Sequence, residues 1–131
     1  MTQFVYNCVP SKLDGTEPEL PKTLRSALLP KSINLTPWCS PVVHQGTLNS
    51  CTANALVSGL REYLLIKSGQ PLTRLSRLFV YYYERLMEGA LDQDGGAEIK
   101  SGLIVLNKTG VCTEEKDPYI ASKLNEKPSK V

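Results

Sequence analysis

Apolar residues recur at helical spacing in three stretches of the chain, and they predict three helices. The stretches run over about Cys51 to Lys67, Leu75 to Glu88 and Ala97 to Lys108. In each, the apolar positions follow the i, i+3, i+4, i+7 pattern that gives a helix one buried face. The residues predicted to face the core are Ala53, Leu56, Val57, Leu60, Tyr63 and Leu64, then Leu75, Leu78, Phe79, Tyr82 and Leu86, and finally Ile99, Leu103 and Leu106.

Small polar residues and glycines mark the ends of these helices. Ser76 or Thr73 is the expected cap of the second helix, because a side-chain oxygen at that position accepts a hydrogen bond from a backbone N–H. The three C-termini are expected near Gly69, Gly89 and Gly110.

Length and charge narrow the class of protein. The 131 residues are 41% hydrophobic and 21% charged, which fits one small domain with a modest core. A net charge of +2 with scattered basic residues predicts neither a nucleic-acid nor an anionic-membrane partner. The run Tyr81 to Tyr83 is not a base-stacking surface, since helical spacing turns its three rings in different directions. No apolar run approaches the ~18 residues of a membrane span.

The first 30 residues are expected to form an irregular N-terminal arm. Four prolines interrupt them, Asp14-Gly15 marks a turn, and 24–29 forms one helical turn at most. No basic and then apolar segment typical of a secretory signal is present at the N-terminus. Residues 31–131 are expected to form the folded unit.

The candidate chemistry lies between the arm and the first helix, in residues 41–53. Ser50 is a suitable N-cap, which places Cys51 in the first helical turn. Backbone N–H groups and the helix dipole there lower the pKa of a thiol, and the thiolate is the reactive form. Gln45 carries a side-chain amide that can donate to a developing oxyanion. Nucleophile and oxyanion donor on one loop are what acyl transfer requires.

Several motifs resemble papain-like cysteine peptidases when they are taken in order. The segment 41–53 matches the nucleophile region in the form PV-x-x-QG-x-L-x-SCTA, with Thr52 where papain has an aromatic residue. Downstream, LSRLF at 75–79, DGG at 94–96 and GVCTEEKDPY at 110–119 follow in the family's order. The resemblance covers about 33–128. It implies an α+β papain-like fold, here mainly the helical left lobe with three helices plus extended segments.

The same resemblance implies a cysteine endopeptidase that acts on protein or peptide substrates without a metal or other cofactor. Cys51 and Gln45 would be the catalytic residues. Gly95 and Gly96 would form an open edge that binds the substrate backbone, because no Cβ blocks a close peptide. The flanking substrate-binding candidates are Asn49, Ser50, Asp94 and Ala97. Without the resemblance, 92–96 would be a plain turn before the third helix.

Four cysteines are present: Cys8, Cys39, Cys51 and Cys112. Secreted members of the family carry a disulfide whose two positions correspond to Leu48 and Gln93 here. Both halves are replaced together, so we expect four free thiols and a reducing, intracellular compartment.

A general base is missing from the pattern. The family places its catalytic histidine roughly 130–150 residues beyond the cysteine, whereas the only histidine here is His44, beside Gln45. We therefore expect the second, β-rich lobe to be absent and the chain alone to show negligible turnover.

Two other functions stay open. A non-catalytic remnant could bind peptides, inhibitors, a complementary β lobe or a second copy of itself. A thiol switch at Cys51 is the third possibility, although no second cysteine lies near it in the sequence.

Overall fold

The computed structural model of this protein describes residues 8–17, 19, 21 and 30–129. The helical turn predicted at 24–29 lies outside these residues. Within them, three helices and extended segments form the fold, as predicted. The division into an arm and a helical unit stays a prediction, although arm residues 8–17 lie against the helical unit.

The first helix, α1, is continuous but not uniform. It begins as an α-helical turn at Cys51–Ala53, continues as a π-helical segment at Asn54–Arg61 and ends as an α-helix at Glu62–Lys67. A π segment admits one extra residue per turn and is most often found as a short insertion near functional sites. Here the backbone N–H of Glu62 donates to the carbonyl of Val57, five residues earlier.

The second helix, α2, spans Arg77–Glu88; it ends where predicted and begins two residues later than the predicted Leu75, after Ser76, one of the two expected caps. The Ser76 side chain accepts a hydrogen bond from the backbone N–H of Phe79 at 3.0 Å, which caps the N-terminus. Gly89 ends the helix in the left-handed conformation, with φ at 69°, and a residue without Cβ adopts that conformation at no steric cost.

The third predicted helix is shorter than expected, because its first two residues form a strand. Strand β2 is Ala97–Glu98 and helix α3 is Ile99–Lys108. Strand β1, Cys8–Val9, pairs in parallel with β2 and places Cys8 opposite Ala97. This two-stranded sheet joins the N-terminal arm to the start of α3.

The core lies between the three helices. Its buried members are Ala53, Val57, Leu75, Phe79, Val80, Tyr81, Ala97, Val105 and Cys112. Polar side chains are also buried, and Glu62 shows how such a group is paired. Glu62 on α1 accepts the backbone N–H of Leu75 at 2.9 Å and pairs with Arg74 at 3.0 Å. Such pairing offsets the cost of removing a carboxylate from water.

Some of the predicted core-facing positions are wrong. Leu60, Leu64, Leu86 and Leu103 are 37 to 46% exposed. In α1 the wider turns of the π segment change the direction in which the side chains beyond Val57 point. As a result, Glu62 occupies the inward position where an apolar residue is expected. On α3 the close approach occurs at Gly102, where a Cβ would collide with the carboxylate of Glu84 and the side chain of Leu56.

Candidate functional site

Cys51 is the first residue of α1, and its side chain is partly buried. Ser50 precedes it as predicted, but the predicted capping bond is wrong, since its side chain makes no such bond. The Ser50 hydroxyl instead hydrogen-bonds the hydroxyl of Tyr119 and accepts from the Asn54 side chain at 3.0 Å. The Ser50 side chain is therefore held by Tyr119 and Asn54, and not by a capping bond to the helix backbone.

Tyr119 connects the two ends of the loop that leads into Cys51. Its hydroxyl donates to the backbone carbonyl of Gln45 at 2.8 Å and contacts the Ser50 hydroxyl. The Gln45 side-chain amide turns back into the same loop and donates to the carbonyl of Leu48 at 2.9 Å. Arg77 covers the ring of Tyr119, with the guanidinium carbon 4.0 Å from the ring centroid. The conformation of residues 45–50 is thus fixed by side chains from distant parts of the sequence.

Asp94 joins this loop to the glycine pair. Its carboxylate accepts the backbone N–H of Asn49 at 3.1 Å, and its backbone carbonyl accepts the Asn49 side-chain amide. The buried hydroxyl of Tyr81 donates to the same carboxylate at 2.6 Å and accepts the backbone N–H of Gly96 at 3.2 Å. Burial and the nearby Asp94 charge raise the pKa of Tyr81, so the hydroxyl keeps its proton. The structure therefore brings Asn49, Ser50, Cys51, Asp94 and Gly96 together.

The glycine edge continues directly into the strand that pairs with the arm. Gly95 is exposed, Gly96 and Ala97 are buried, and the backbone of Ala97 faces Cys8 of β1. The arm is held further along by Lys100, whose ammonium lies 2.7 Å from Asp14 and 3.3 Å from Glu17.

The electrostatic environment of Cys51 differs from the expectation. Burial raises the pKa of its thiol above the ordinary value, and the charge of Cys8 raises it further. The backbone N–H groups of Thr52 and Cys51 lower it, and the charge of Glu84 adds a small increase. The loss of water around the Cys51 sulfur has a larger effect than the helix N–H groups. The predicted lowering of the Cys51 pKa is therefore wrong.

A buried carboxyl group lies beneath the first turn of α1. Glu84 on α2 has no exposed surface, and one of its oxygens accepts the Thr52 hydroxyl at 2.8 Å. Burial raises the pKa of Glu84 to about 8, with Glu88 adding to the increase and Thr52 and Arg85 opposing it. Its second oxygen has no hydrogen-bond partner among the described residues. Glu84 is therefore a neutral acid at pH 7 and links Thr52 to α2.

Other site chemistries find no support in the described part of the chain. No group of three or more His, Cys, Asp or Glu side chains is arranged there to bind a metal ion. None of its helices is both long enough and apolar enough to cross a membrane. None of the four cysteines is joined in a disulfide there. The Nδ1 atom of His44 accepts the backbone N–H of Gly46 at 2.8 Å.

Comparison with known proteins finds one related protein and one similar solved structure that cover most of this chain. Xylellain, a cysteine protease from Xylella fastidiosa, superimposes with a TM-score of 0.79 at 37% identity over 95% of this chain. A protein of Acanthamoeba polyphaga mimivirus, named as an uncharacterized peptidase C1-like protein, is 36% identical over 108 residues, or 82% of the chain. This chain is similar to the N-terminal part of papain-like cysteine proteases.

Further comparisons define how far the papain-like similarity extends. The proform of the ragweed cysteine protease Amb a 11 shares the fold, with a TM-score of 0.53 at 20% identity over 84% of the chain. The chain spans about half of xylellain (51%), 35% of the mimivirus protein and 36% of Amb a 11. No family model matches it. The fold is the helical lobe of a papain-like protease, as predicted.

Sequence reasoning does not find two residues of this candidate site. The sequence gives Tyr81 no role at the site, yet its hydroxyl donates to the Asp94 carboxylate and accepts the Gly96 N–H. Tyr119 was noted only as part of a motif, yet it fixes Gln45 and Ser50. Both are tyrosines whose partners lie 13 or more positions away, and no local pattern signals such contacts.

Proposed function

We propose that this chain carries the nucleophile side of a cysteine endopeptidase active site, with Cys51 as the nucleophile. The observation that carries the proposal is the convergence of Cys51, the Gln45 loop and the Gly95-Gly96 edge through Asp94 and Tyr119. In the reaction, the Cys51 thiolate attacks the carbonyl carbon of a peptide bond and forms an acyl-enzyme. Water then releases the acyl group and regenerates the thiol.

The oxyanion that forms in this attack needs hydrogen-bond donors. The Gln45 side-chain nitrogen carries two hydrogens, and Leu48 accepts one of them at 2.9 Å. We assign the second hydrogen and the Cys51 backbone N–H to the oxyanion. The bond to Leu48 holds the amide in a fixed orientation, so little reorganisation accompanies the reaction.

The extended substrate is assigned to the edge at Gly95 and Gly96. Asn49 and Asp94 border it on the Cys51 side, Ser50 positions the loop, and Ala97 continues the edge. Strand β1 already pairs with Ala97 and Glu98, one position further along. The peptide and the N-terminal arm are therefore assigned to adjacent parts of one edge.

The general base is assigned to none of the 131 residues. His44 is the only histidine in the sequence, and its Nδ1 atom already accepts the Gly46 N–H. The purified 131-residue chain is therefore expected to hydrolyse peptide amides at a negligible rate, and readily measurable hydrolysis that a Cys51→Ser variant loses would contradict this assignment.

Binding of the substrate backbone is testable without turnover. Cys51 should be labelled faster by an epoxide attached to a peptide than by the same epoxide alone, because the Gly95 edge positions the peptide. Gly95→Val should remove this advantage, since a branched side chain blocks the edge. Gly59→Val, at an exposed glycine of α1 with open space around it, is the matched control. Equal labelling by both reagents in the unaltered chain would contradict the proposed edge.

A second candidate is a non-catalytic peptide- or partner-binding protein with the same lobe. The raised pKa of Cys51 favours it, because an unactivated thiol serves binding as well as any other small side chain. This candidate predicts that peptides bind at the Gly95 edge with equal affinity in the Cys51→Ser variant, and that the peptide epoxide leaves Cys51 unmodified.

A further inference from the structure

The N-terminal strand carries a thiol to the edge that adjoins the site. In the parallel pair of β1 and β2, Cys8 lies directly opposite Ala97 and is itself exposed. Ala97 follows Gly96, whose N–H donates to Tyr81. Beyond Cys8, the arm is anchored to α3 by the Ser11 hydroxyl, which accepts the backbone N–H of Lys100 at 3.3 Å. The position of Cys8 is therefore set by its pairing with Ala97 and by the contact of Ser11 with Lys100.

The same edge lies against the start of α1. Asn49, two residues before Cys51, is hydrogen-bonded to Asp94. The first turn of α1, Cys51–Ala53, also packs against α3, which continues directly from β2. Cys8 thus lies opposite β2, and the helical turn that begins at Cys51 packs against the helix that continues from β2. Their mutual electrostatic effect agrees with this placement, since interactions between separated charges fade beyond about 10 Å in ordinary salt.

We propose that a hydroperoxide oxidises Cys8 and Cys51 to an intramolecular disulfide that locks strand β1 over the nucleophile. The proposal rests on the proposed function for its consequence, which is loss of the nucleophile. The disulfide itself is argued from the pairing of Cys8 with Ala97 and from the packing of the Cys51 turn against α3. The switch would be reversible, because a dithiol reduces the bond by exchange.

The chemistry proceeds in two steps. The exposed Cys8 sulfur, as its thiolate, attacks one peroxide oxygen; the O–O bond breaks, an S–O bond forms, and an alcohol or water leaves. The Cys51 thiol then loses its proton and its sulfur attacks the Cys8 sulfenic acid, so that an S–S bond forms and the S–O bond breaks with release of water. Two thiols lose two electrons in total, and the peroxide O–O bond accepts them.

The other two cysteines are poorly placed for this reaction. Cys112 is 5% exposed and belongs to the core. Cys39 is exposed, but its neighbours lie along the second half of α1. Ser40 donates to the Ser58 carbonyl, and the Trp38 ring lies under the ammonium of Lys67. At 1.5 Å per residue, Ser58 is about 10 Å from the start of the helix. A disulfide needs Cα atoms about 5.5–6 Å apart, so Cys39 is a control for Cys8.

The test uses the reduced 131-residue chain, hydrogen peroxide and mass spectrometry. After peroxide is removed, remaining thiols are blocked with N-ethylmaleimide and the chain is cut with chymotrypsin, which separates Cys39 from Cys51 after Leu48. The expected product is one linked peptide pair containing Cys8 and Cys51, with a mass about 2 Da below the sum of the two thiols. Dithiothreitol should restore both thiols.

Matched variants identify the partners. Cys39→Ser should form the same link at the same rate, whereas Cys8→Ser should form none. In Cys51→Ser, the sulfenic acid should persist on Cys8 and react with dimedone. A link between other cysteines, or an undiminished loss of the Cys51 thiol in Cys8→Ser, would overturn the proposal.

A parallel measurement separates this proposal from the proposed function. The reduced chain is labelled at Cys51 with the peptide epoxide before and after peroxide. Labelling of the reduced chain without a Cys8–Cys51 link would overturn the switch and leave the nucleophile assignment standing. A link without any peptide-directed labelling would support the switch and contradict the assignment of the substrate edge.

Discussion

The two sides of Cys51 are built differently. On the loop side, Asp94, Tyr81 and Tyr119 hold residues 45–50 through hydrogen bonds that are partly or fully buried. On the arm side, β1 is a two-residue strand with both residues exposed, and the ion pairs of Lys100 with Asp14 and Glu17 are open to solvent.

This difference separates a fixed part of the site from a releasable part. Buried hydrogen-bonded groups are costly to disrupt, because a lost partner leaves a polar atom without water. Exposed ion pairs contribute little, and segments held by few buried contacts open first. The loop is therefore suited to hold Cys51 and Gln45 in one geometry, and the arm is suited to leave the edge.

The largest expected effect concerns Glu84, which supports the fixed side from below. Its folded-state pKa of about 8 lies above the ordinary 4.5, so the folded chain holds a proton that the unfolded chain has lost. Stability should therefore fall as pH rises from about 4.5 to about 8, by at most about 1.4 kcal/mol per pH unit. Urea denaturation at several pH values measures this slope.

Glu84→Gln should flatten that slope, since an amide cannot ionise. Glu115→Gln, at an exposed position, should leave it unchanged. An identical pH profile for the unaltered chain and Glu84→Gln would show that Glu84 is charged in the folded state or is exposed to water.

Asp94→Ala should have the next largest effect, because it removes the acceptor for the Asn49 N–H and the Tyr81 hydroxyl. The expected loss is about 3 kcal/mol of unfolding free energy, typical of leaving buried donors unpaired. The peptide-directed labelling of Cys51 should fall with it. Asp92→Ala, two positions away and exposed, should change stability by less than about 0.5 kcal/mol. Equal effects of the two substitutions would remove the distinction between the fixed and releasable sides.

Lys100→Met should have the smallest effect on stability, under about 1 kcal/mol, because its ion pairs are exposed. It should nevertheless release the arm, and trypsin should cut faster after Lys12. Lys108→Met at the exposed end of the same helix is the control. A loss of stability as large as that of Asp94→Ala would mean that the arm is part of the fixed structure.

Acidity should release the arm in the same way. The Lys100 hydrogen bond holds the pKa of Asp14 below its usual range, and backbone hydrogen bonds do the same for Glu17. These contacts are complete above the ordinary carboxylate pKa values and are lost as pH falls through the lowered ones.

The local features of the fold were predictable from the sequence, and the long-range contacts of the site were not. Ser76 and Gly89 end α2 through short-range geometry, which residue type alone predicts. The π segment of α1 has no such signature, so the positions beyond Val57 were assigned to the wrong face.

In the candidate site, too, local features were predictable from the sequence and long-range contacts were not. Gln45 and Cys51 could be placed on one loop because they are close in sequence. The hydrogen bond between Ser50 and Tyr119 joins residues that are 69 positions apart. The pairing of Cys8 with Ala97 joins residues that are 89 positions apart. Such contacts depend on the packing of whole elements, and for that reason the sequence does not reveal the effect of Cys8 on Cys51 or the direction of the Cys51 pKa shift.

The most direct test of the account is the pKa of the Cys51 thiol, obtained from the pH dependence of its iodoacetamide alkylation rate. Peptide mass spectrometry follows Cys51 separately from the other thiols, and Cys51→Ser confirms the assignment. We expect a value above the ~8.5 of an ordinary cysteine that falls in Cys8→Ser and stays unchanged in Cys39→Ser. A value below ~8.5 in the unaltered chain, or one that is insensitive to Cys8→Ser, would contradict a partly buried Cys51 whose pKa is raised by burial and by Cys8.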